Sequence, residues 1–312
     1  MGARVLRWVA AKVAGGAFVL WAIATLIFFG LRLIPGDPAQ ALLGGPGSQA
    51  SEEALALVRR EHGLDLPLAE QYLLAMGRLA TGDLGTSYSL RQDVLTLIGE
   101  QFWGTLLLTV LSLATAWAIA LLLATWATRG SRSGRAVASG LEVVASAVPH
   151  FWLASMLILL FSSLLGLLPP VSVEGPSGLV LPVLTLALPL AGFLAQVMRE
   201  SLADALESPF VLSARARGES ETGVRWRHAI RHASLPAISL SGWAFGSLIS
   251  GAVVVETVFA RPGLGRSLLN AVTARDIPMV TGIALVSALA FVLVTIATDA
   301  IDRVADPRLR RA

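Results

Sequence analysis

An all-α integral membrane protein with six transmembrane helices is the fold class this sequence predicts. Three observations carry it. Apolar residues make up 55% of the 312-residue chain and charged residues only 14%, where a soluble domain has about 25% charged. Six stretches offer the roughly 20 apolar residues that a helix needs to cross a bilayer: 13–31, 102–127, 137–165, 179–198, 235–259 and 278–298. The middles of all six lack charge, as expected where an ion in hydrocarbon costs several kcal/mol.

The residue inventory excludes several chemistries. With no cysteine, there is no disulfide, thiolate metal site, iron–sulfur cluster or cysteine nucleophile. Lys12 is the only lysine, and no phosphate-binding glycines precede it, so the chain has no Walker A loop. The pI is about 10.1, but the net charge is only +3 and groove-reading motifs are absent, so a nucleic-acid partner is not expected. No catalytic carboxylate pair or nucleophile elbow stands out.

Taken in order, the first span begins after Arg4, Arg7 and Lys12. It is longer than a signal-peptide core and no small-residue cleavage site follows it directly, so it reads as an uncleaved span. Residues 34–101 form a hydrophilic insertion. There Ser51 is placed to cap a short helix opening with Glu52 and Glu53, a favourable pair at a helix N-terminus. Residues 68–80 read as an amphipathic helix with Tyr72, Leu73, Met76 and Leu79 as its apolar positions. Span three is the longest and contains Pro149, which predicts a kink, tilt or break. Pro182 and Pro189 in span four are further hints of broken helix. Glu142, Glu256 and Asp299 lie near span ends, at an interface or paired with a neighbouring subunit. Gly242, Gly246 and Gly251 share a stripe of span five and permit close helix approach, either within the chain or between subunits.

Orientation follows from the arginines. With the N-terminus inside, the cytoplasmic segments carry about twice as many basic residues as the outer ones, which places both termini in the cytoplasm. The organisation is then 1–33 for the N-terminal tail and first span, 34–101 for the extracytoplasmic insertion, and 102–312 for the transmembrane core with a cytoplasmic loop at 199–234.

That loop mixes arginines with acids. Residues 201–217 read as one alanine-rich helix, which Gly218 ends through a positive φ. Ser220 caps a second short helix reaching Arg231, and Leu235-Pro236 re-enters the membrane. His228 and His232 stand four apart, a spacing that can bind metal, but no third ligand is evident and the flanking arginines repel a cation. The expected product is a compact helix–glycine–helix knob able to insert into a groove on another protein and move as a rigid body.

The motif Ser213-Ala214-Arg215-Ala216-Arg217-Gly218, followed by Leu235-Pro236, resembles the coupling motif of permease subunits of type I ABC importers, in the dipeptide/oligopeptide/nickel branch of binding-protein-dependent transport. Leu33-Ile34-Pro35-Gly36-Asp37-Pro38, Gly82-Asp83-Leu84-Gly85-Thr86-Ser87-Tyr88, Val254-Val255-Glu256-Thr257-Val258-Phe259, Pro262-Gly263-Leu264-Gly265 and Asp306-Pro307-Arg308 agree in order and spacing. Leu212 departs from the glutamate that opens the general importer motif.

The resemblance implies the type I importer permease fold in the cell (inner) membrane. It implies a heterodimer with a second permease, two ABC ATPase subunits beneath and an extracytoplasmic substrate-binding protein outside. ATP and Mg²⁺ belong to the ATPases, and this chain binds no cofactor or metal and is not an enzyme. The resemblance implies coupling through the 208–231 loop and transport of peptides, with nickel, a metallophore or another small solute as alternatives. Pro149, His150, Phe151 and Trp152, together with Glu256, Pro262, Gly263 and Gly265, are candidates for the pathway or its gate. An ion-coupled secondary carrier is the competing class. It would function without ATPase partners, and normally carries ionisable groups near the midplane.

Overall fold

The computed structural model describes residues 2–33, 37–43, 50–129 and 132–305. Among them the only extended pairing is an isolated bridge between Thr86 and Asp93. The expected Asp306-Pro307-Arg308 motif, and Ile34, Pro35 and Gly36 of the first one, lie outside the described residues. The helices are α1 (Gly2–Arg32), α2 (Pro38–Leu42), α3 (Glu52–Glu61), α4 (Leu68–Ala80), α5 (Val94–Arg129), α6 (Arg132–Ala147), α7 (His150–Leu157), α8 (Ser177–Leu206), α9 (Pro209–Ala216), α10 (Glu221–Gly223), α11 (Ile230–Val258), α12 (Leu264–Thr273) and α13 (Ile277–Ala305). Five helical stretches are long and apolar enough to cross a membrane, and α6 with α7 makes a sixth if the bent pair is one span.

Of Pro149, Pro182 and Pro189, only Pro149 breaks a helix. The pair α6 and α7 bends by 107° at Val148-Pro149. Proline disfavours helical backbone in the residue before it and lacks the N–H that would continue the ladder. Here Pro149 adopts extended backbone (φ −66°, ψ 139°) and α7 restarts at His150. Pro182 and Pro189 stand inside a continuous α8, so the expectation of breaks there is corrected. Both are buried, and neighbouring helices hold the segment helical despite the lost bonds. From Ile158 to Leu164, α7 widens into a π-helix.

The chain divides into two compact units, with α5 and α13 contributing to both. One comprises 1–104 and 262–292. Its apolar cluster joins Val94, Leu97 and Ile98 of α5, Leu264 and Ala271 of α12, and Met279, Val280 and Ile283 of α13. A cross-link of long sequence separation supports it: Asp276 accepts from the Ser87 hydroxyl at 2.5 Å and from the Ser89 N–H at 3.0 Å. In the insertion, Ser51 caps α3 by accepting from the Ala54 N–H, as expected. Helix α4 has the expected bounds, but its apolar face is rotated. Tyr72, Met76 and Leu79 are half-buried, whereas Leu73 is exposed, as is Leu74.

The other unit comprises 105–261 and 293–312, with α8 at its centre. Leu181, Leu186, Leu194 and Met198 of α8 are buried with Leu108 of α5, Leu248 of α11 and Phe259. Small residues set the helix spacing. Gly242 lies against Thr295 and Thr298 of α13, and Gly251 against Leu186 and His150. At both positions the stripe in α11 therefore serves packing within the chain. Gly192 is the tightest point of α8: a Cβ there would lie 2.6 Å from the Glu142 carbonyl oxygen and 2.8 Å from the Ser146 nitrogen. Both are backbone atoms of α6 and cannot rotate away. Gly192→Val should therefore cost about 3 kcal/mol, at the upper end of overpacking penalties. Thermal aggregation of the detergent-solubilised chain measures it. A midpoint equal to the parent's would contradict the packing argument.

Candidate functional site

The knob expected between spans four and five is present, but its borders differ. Helix α8 runs unbroken to Leu206, and the predicted single helix over 201–217 is interrupted at Glu207 and Ser208. Pro209 occupies the first turn of α9, where its fixed φ and missing N–H are tolerated. Helix α9 ends at Ala216, and Gly218 adopts φ +83°. The Glu219 N–H returns to the Ala214 carbonyl and the Gly218 N–H to the Arg215 carbonyl, closing the helix end as a left-handed residue allows. Ser220 caps the next helix by accepting from the Gly223 N–H, and a π-helical turn at Val224–Ala229 leads into α11. Leu235 and Pro236, expected at a re-entry point, lie inside α11. The helix continues from the knob into the span without a re-entry turn at that pair.

The knob has its own core. Leu202 and Ala205 of α8, Val211 and Ala214 of α9, and Val224, Ala229 and Ala233 pack together in its interior. Four of these seven are alanines, which brings the three segments close. Of the motif residues, Ala214 alone is fully buried. Ser213, Ala216, Arg217 and Gly218 are exposed, and Arg215 is half-buried.

Ionic contacts brace this core. Arg215 donates to both carboxylate oxygens of Glu221, at 2.7 and 3.1 Å, and reaches the Leu206 carbonyl at the end of α8. The hydrogen bond to Glu221 holds the Arg215 guanidinium above its ordinary pKa. Glu219 pairs with His228 at 2.8 Å and Arg227 at 3.7 Å. Arg225 donates to the Thr128 hydroxyl at 2.8 Å and carbonyl at 2.9 Å, tying the knob to the last turn of α5. His232 lies against the Phe210 ring, with centroids 4.6 Å apart. The two histidines therefore have separate partners.

Three apolar side chains lie on the outside of the knob: Phe210, Leu212 and Trp226 are 39%, 56% and 48% exposed. Sequence reasoning did not single them out as a surface. Leu212 was noticed only as a departure from the importer motif, although two large apolar residues behind a helix-starting proline were a visible signal.

The pathway candidates fall in several environments. Pro149 is exposed at the bend, and Phe151 and Trp152 are exposed at 60% and 50%. His150 is drawn inward, against Gly251 of α11. Glu256 is fully buried and accepts from the Thr105 hydroxyl at 2.5 Å. In the other unit, Gly263 and Gly265 are buried while Pro262 is exposed. The Pro262 carbonyl lies close against Gly104 of α5. Glu142, another charge near a span end, is fully buried and bonds Arg199 of α8, with Arg199 Nε to Oε2 at 2.8 Å. Its partner is thus within the chain. Gln196 adds a bond from its amide to the Glu142 carbonyl. Among the described residues, no group of three His, Asp or Glu is placed to hold a metal.

Comparison with known proteins gives a consistent result. The family described as "Binding-protein-dependent transport system inner membrane component" matches residues 116–311, and its N-terminal component matches residues 5–109. The glutathione transport system permease protein GsiC of Salmonella choleraesuis (strain SC-B67) is 36% identical over 98% of this chain and 99% of its own length. That of Escherichia coli (strain K12) is 34% identical over the same shares. Among solved structures, an inward-facing form of the MetNI methionine ABC transporter matches 68% of this chain and 97% of its own, with a TM-score of 0.55 and 18% identity. An amino acid ABC transporter crystallised with histidines matches 67% of this chain and 94% of its own, with a TM-score of 0.53 and 19% identity. At these identities the structural likeness establishes the fold, that of ABC importer permeases.

Proposed function

The chain belongs to the binding-protein-dependent transport system inner membrane component family and is a permease subunit of an ABC importer, and from that premise we propose how it is coupled and what it carries. Its substrate is a short peptide of the glutathione type. It pairs with a second permease, two ATPase subunits dock on the 208–231 knob, and a binding protein delivers substrate from outside. ATP and Mg²⁺ act on the ATPases. Both termini face the cytoplasm, as the arginine distribution supports.

One observation carries the coupling reading: the exposed Phe210, Leu212 and Trp226 are mounted on a knob with its own core. A flexible loop would absorb a displacement, whereas a braced knob passes it on. The bonds from Arg225 to Thr128 of α5 and from Arg215 to Leu206 at the end of α8, and the unbroken helix into α11, connect the knob to three spans. ATP-driven closure of the ATPase pair then moves those spans together, and the cavity between permeases changes its facing without chemistry on the substrate.

The substrate class is supported by the glutathione permeases aligned along nearly the whole chain. The test uses the assembly recovered on the tagged full chain and reconstituted in proteoliposomes. ATP-dependent, binding-protein-dependent uptake of labelled glutathione or tripeptides is expected. Uptake that persists without ATP and follows an ion gradient would overturn the importer mechanism. ATP-dependent uptake of another solute, with no peptide competition, would overturn only the substrate class.

A further inference from the structure

The spans of this chain sort their hydroxyls. On α5 the exposed side chains between Trp103 and Trp126 are all apolar, Leu107, Val110 and Leu122 among them. Thr105, Thr109, Ser112 and Thr125 of the same stretch are buried. The two exposed tryptophans stand about 35 Å apart along the helix, the spacing of the aromatic belts at the two surfaces of a bilayer. That face has the composition of one that meets lipid.

Helix α11 does the opposite. Its Ser239, Trp243, Ser247, Ser250, Val254 and Thr257 are exposed. At 3.6 residues per turn these six positions fall within an arc of about 80° that runs along the span. Four of them carry hydroxyls. Ser239 and Thr257 return theirs to the Leu235 and Val253 carbonyls, whereas Ser247 and Ser250 have no hydroxyl partner among the described residues. Hydrocarbon offers an unpaired hydroxyl nothing in exchange for water. A close helix contact suits the stripe no better. Small residues make one where backbones approach over successive turns, and Trp243, 56% exposed, stands between Ser239 and Ser247. The glycines of α11 that do admit close approach, Gly242 and Gly251, already meet side chains of this chain.

Neighbouring helices extend the polar surface. The Trp243 ring meets Phe193 of α8 with centroids 5.1 Å apart. One turn further along α8, on the same side, the half-buried Gln196 donates to the Ser146 hydroxyl of α6 at 3.1 Å, and Ser146 is exposed. Three helices thus bring hydroxyls, an amide and an aromatic pair together, and none of these groups is charged. Such groups bond water and peptide amides singly and weakly. A solute in transit needs that balance, since it must be held well enough to enter and loosely enough to leave.

We propose that the exposed 239–257 face of α11, with Phe193, Gln196 and Ser146 beside it, is a wall of the water-filled transport pathway. Its occupants are water and the amide groups of a passing peptide, not lipid. This rests on the reading of the chain as a permease, and adds which of its surfaces the solute passes.

The test uses a chain with no native cysteine. Ser247→Cys and Ser250→Cys place single thiols on the α11 face, and Ala114→Cys places one on the exposed face of α5. The assembly recovered on each tagged full chain is put in phosphatidylcholine nanodiscs, without nucleotide and again trapped with ATP and vanadate. A charged, membrane-impermeant methanethiosulfonate is added, and the mass of the tagged chain reports modification. Reaction about 10-fold or more faster at 247 and 250 than at 114 is expected in at least one state, because the reactive thiolate forms where water reaches it. Rates at 247 and 250 as slow as at 114 in both states would overturn the proposal, with lipid or a second permease covering the face. The readout needs neither uptake nor a binding protein, so reactive thiols in an assembly that lacks ATP-driven uptake would count against the importer mechanism alone. If one serine substitution prevents assembly, the other carries the same readout.

Discussion

Leu212→Asp is expected to abolish ATP-driven uptake and release the ATPase subunits from the purified assembly, while the chain reaches the membrane in normal amount. The reasoning begins with position. Leu212 is on α9, 56% exposed, and outside the core formed by Val211 and Ala214. A polar replacement therefore costs the isolated chain little, since surface changes usually stay within about 0.5 kcal/mol. In a docked complex the same position is desolvated, and an unpaired carboxylate buried there costs several kcal/mol. That is enough to reduce ATPase occupancy by on the order of 100-fold or more. Leu212→Ala removes area without adding charge, so a milder loss is expected.

Ala214→Arg makes the complementary case. It places a guanidinium in the knob's own core, where Ala214 is fully buried. It should also uncouple transport, but with increased protease sensitivity around 208–220, which Leu212→Asp should not show. Normal uptake and ATPase capture by Leu212→Asp would disprove the docking surface. Protease sensitivity in both variants would show instead that the knob had unfolded.

Much of this architecture was readable from the chain because membranes impose strong rules. Length and apolarity located the spans, and cap chemistry located Ser51, Gly218 and Ser220 correctly. What remained hidden depended on three-dimensional neighbours. Pro149, Pro182 and Pro189 look equivalent in sequence. Only Pro149 breaks its helix; the other two are buried in the densely packed α8. The stop at Glu207 was missed because the residues before it are good helix formers, and Pro209 can begin a helix as well as end one. Leu73 matched the helical period, yet the side that packs is chosen by the Tyr72 contacts with α1. The importer-like motif located the knob but not its apolar outer surface, because Ala214 goes to the interior and Arg215 to the brace, while the exposed Phe210, Leu212 and Trp226 all lie outside the motif.

Glu142 and Arg199 illustrate the same limit and give the second large expected effect. Neither residue's partner could be read from spacing, since they lie 57 positions apart. Glu142 is fully buried, and its Oε1 has no partner among the described residues. Its charge therefore depends chiefly on the one bond from Arg199. Arg199→Met strands that carboxylate, and breaking a buried pair from one side costs about 3–5 kcal/mol. Glu142→Gln is the milder lesion. The Arg199 side chain is 23% exposed and already within 3.9 Å of Glu200, so it keeps both water and a counter-charge. The paired replacement Glu142→Leu with Arg199→Met removes both ions and should recover most of the loss. The expected order of thermal stability in detergent is parent and double variant highest, Glu142→Gln next, Arg199→Met lowest. This asymmetry separates a desolvated ion pair from a surface one, for which all three variants would sit within about 1 kcal/mol of the parent. Because the pair joins α6 to α8 beside the tight Gly192 contact, Arg199→Met should also loosen the packing of α6 on α8. Faster hydrogen exchange in residues 138–147, with α4 unchanged, is the expected signature. Uniform exchange across both helices would place the damage elsewhere and remove the pair from the account of how α6 is held.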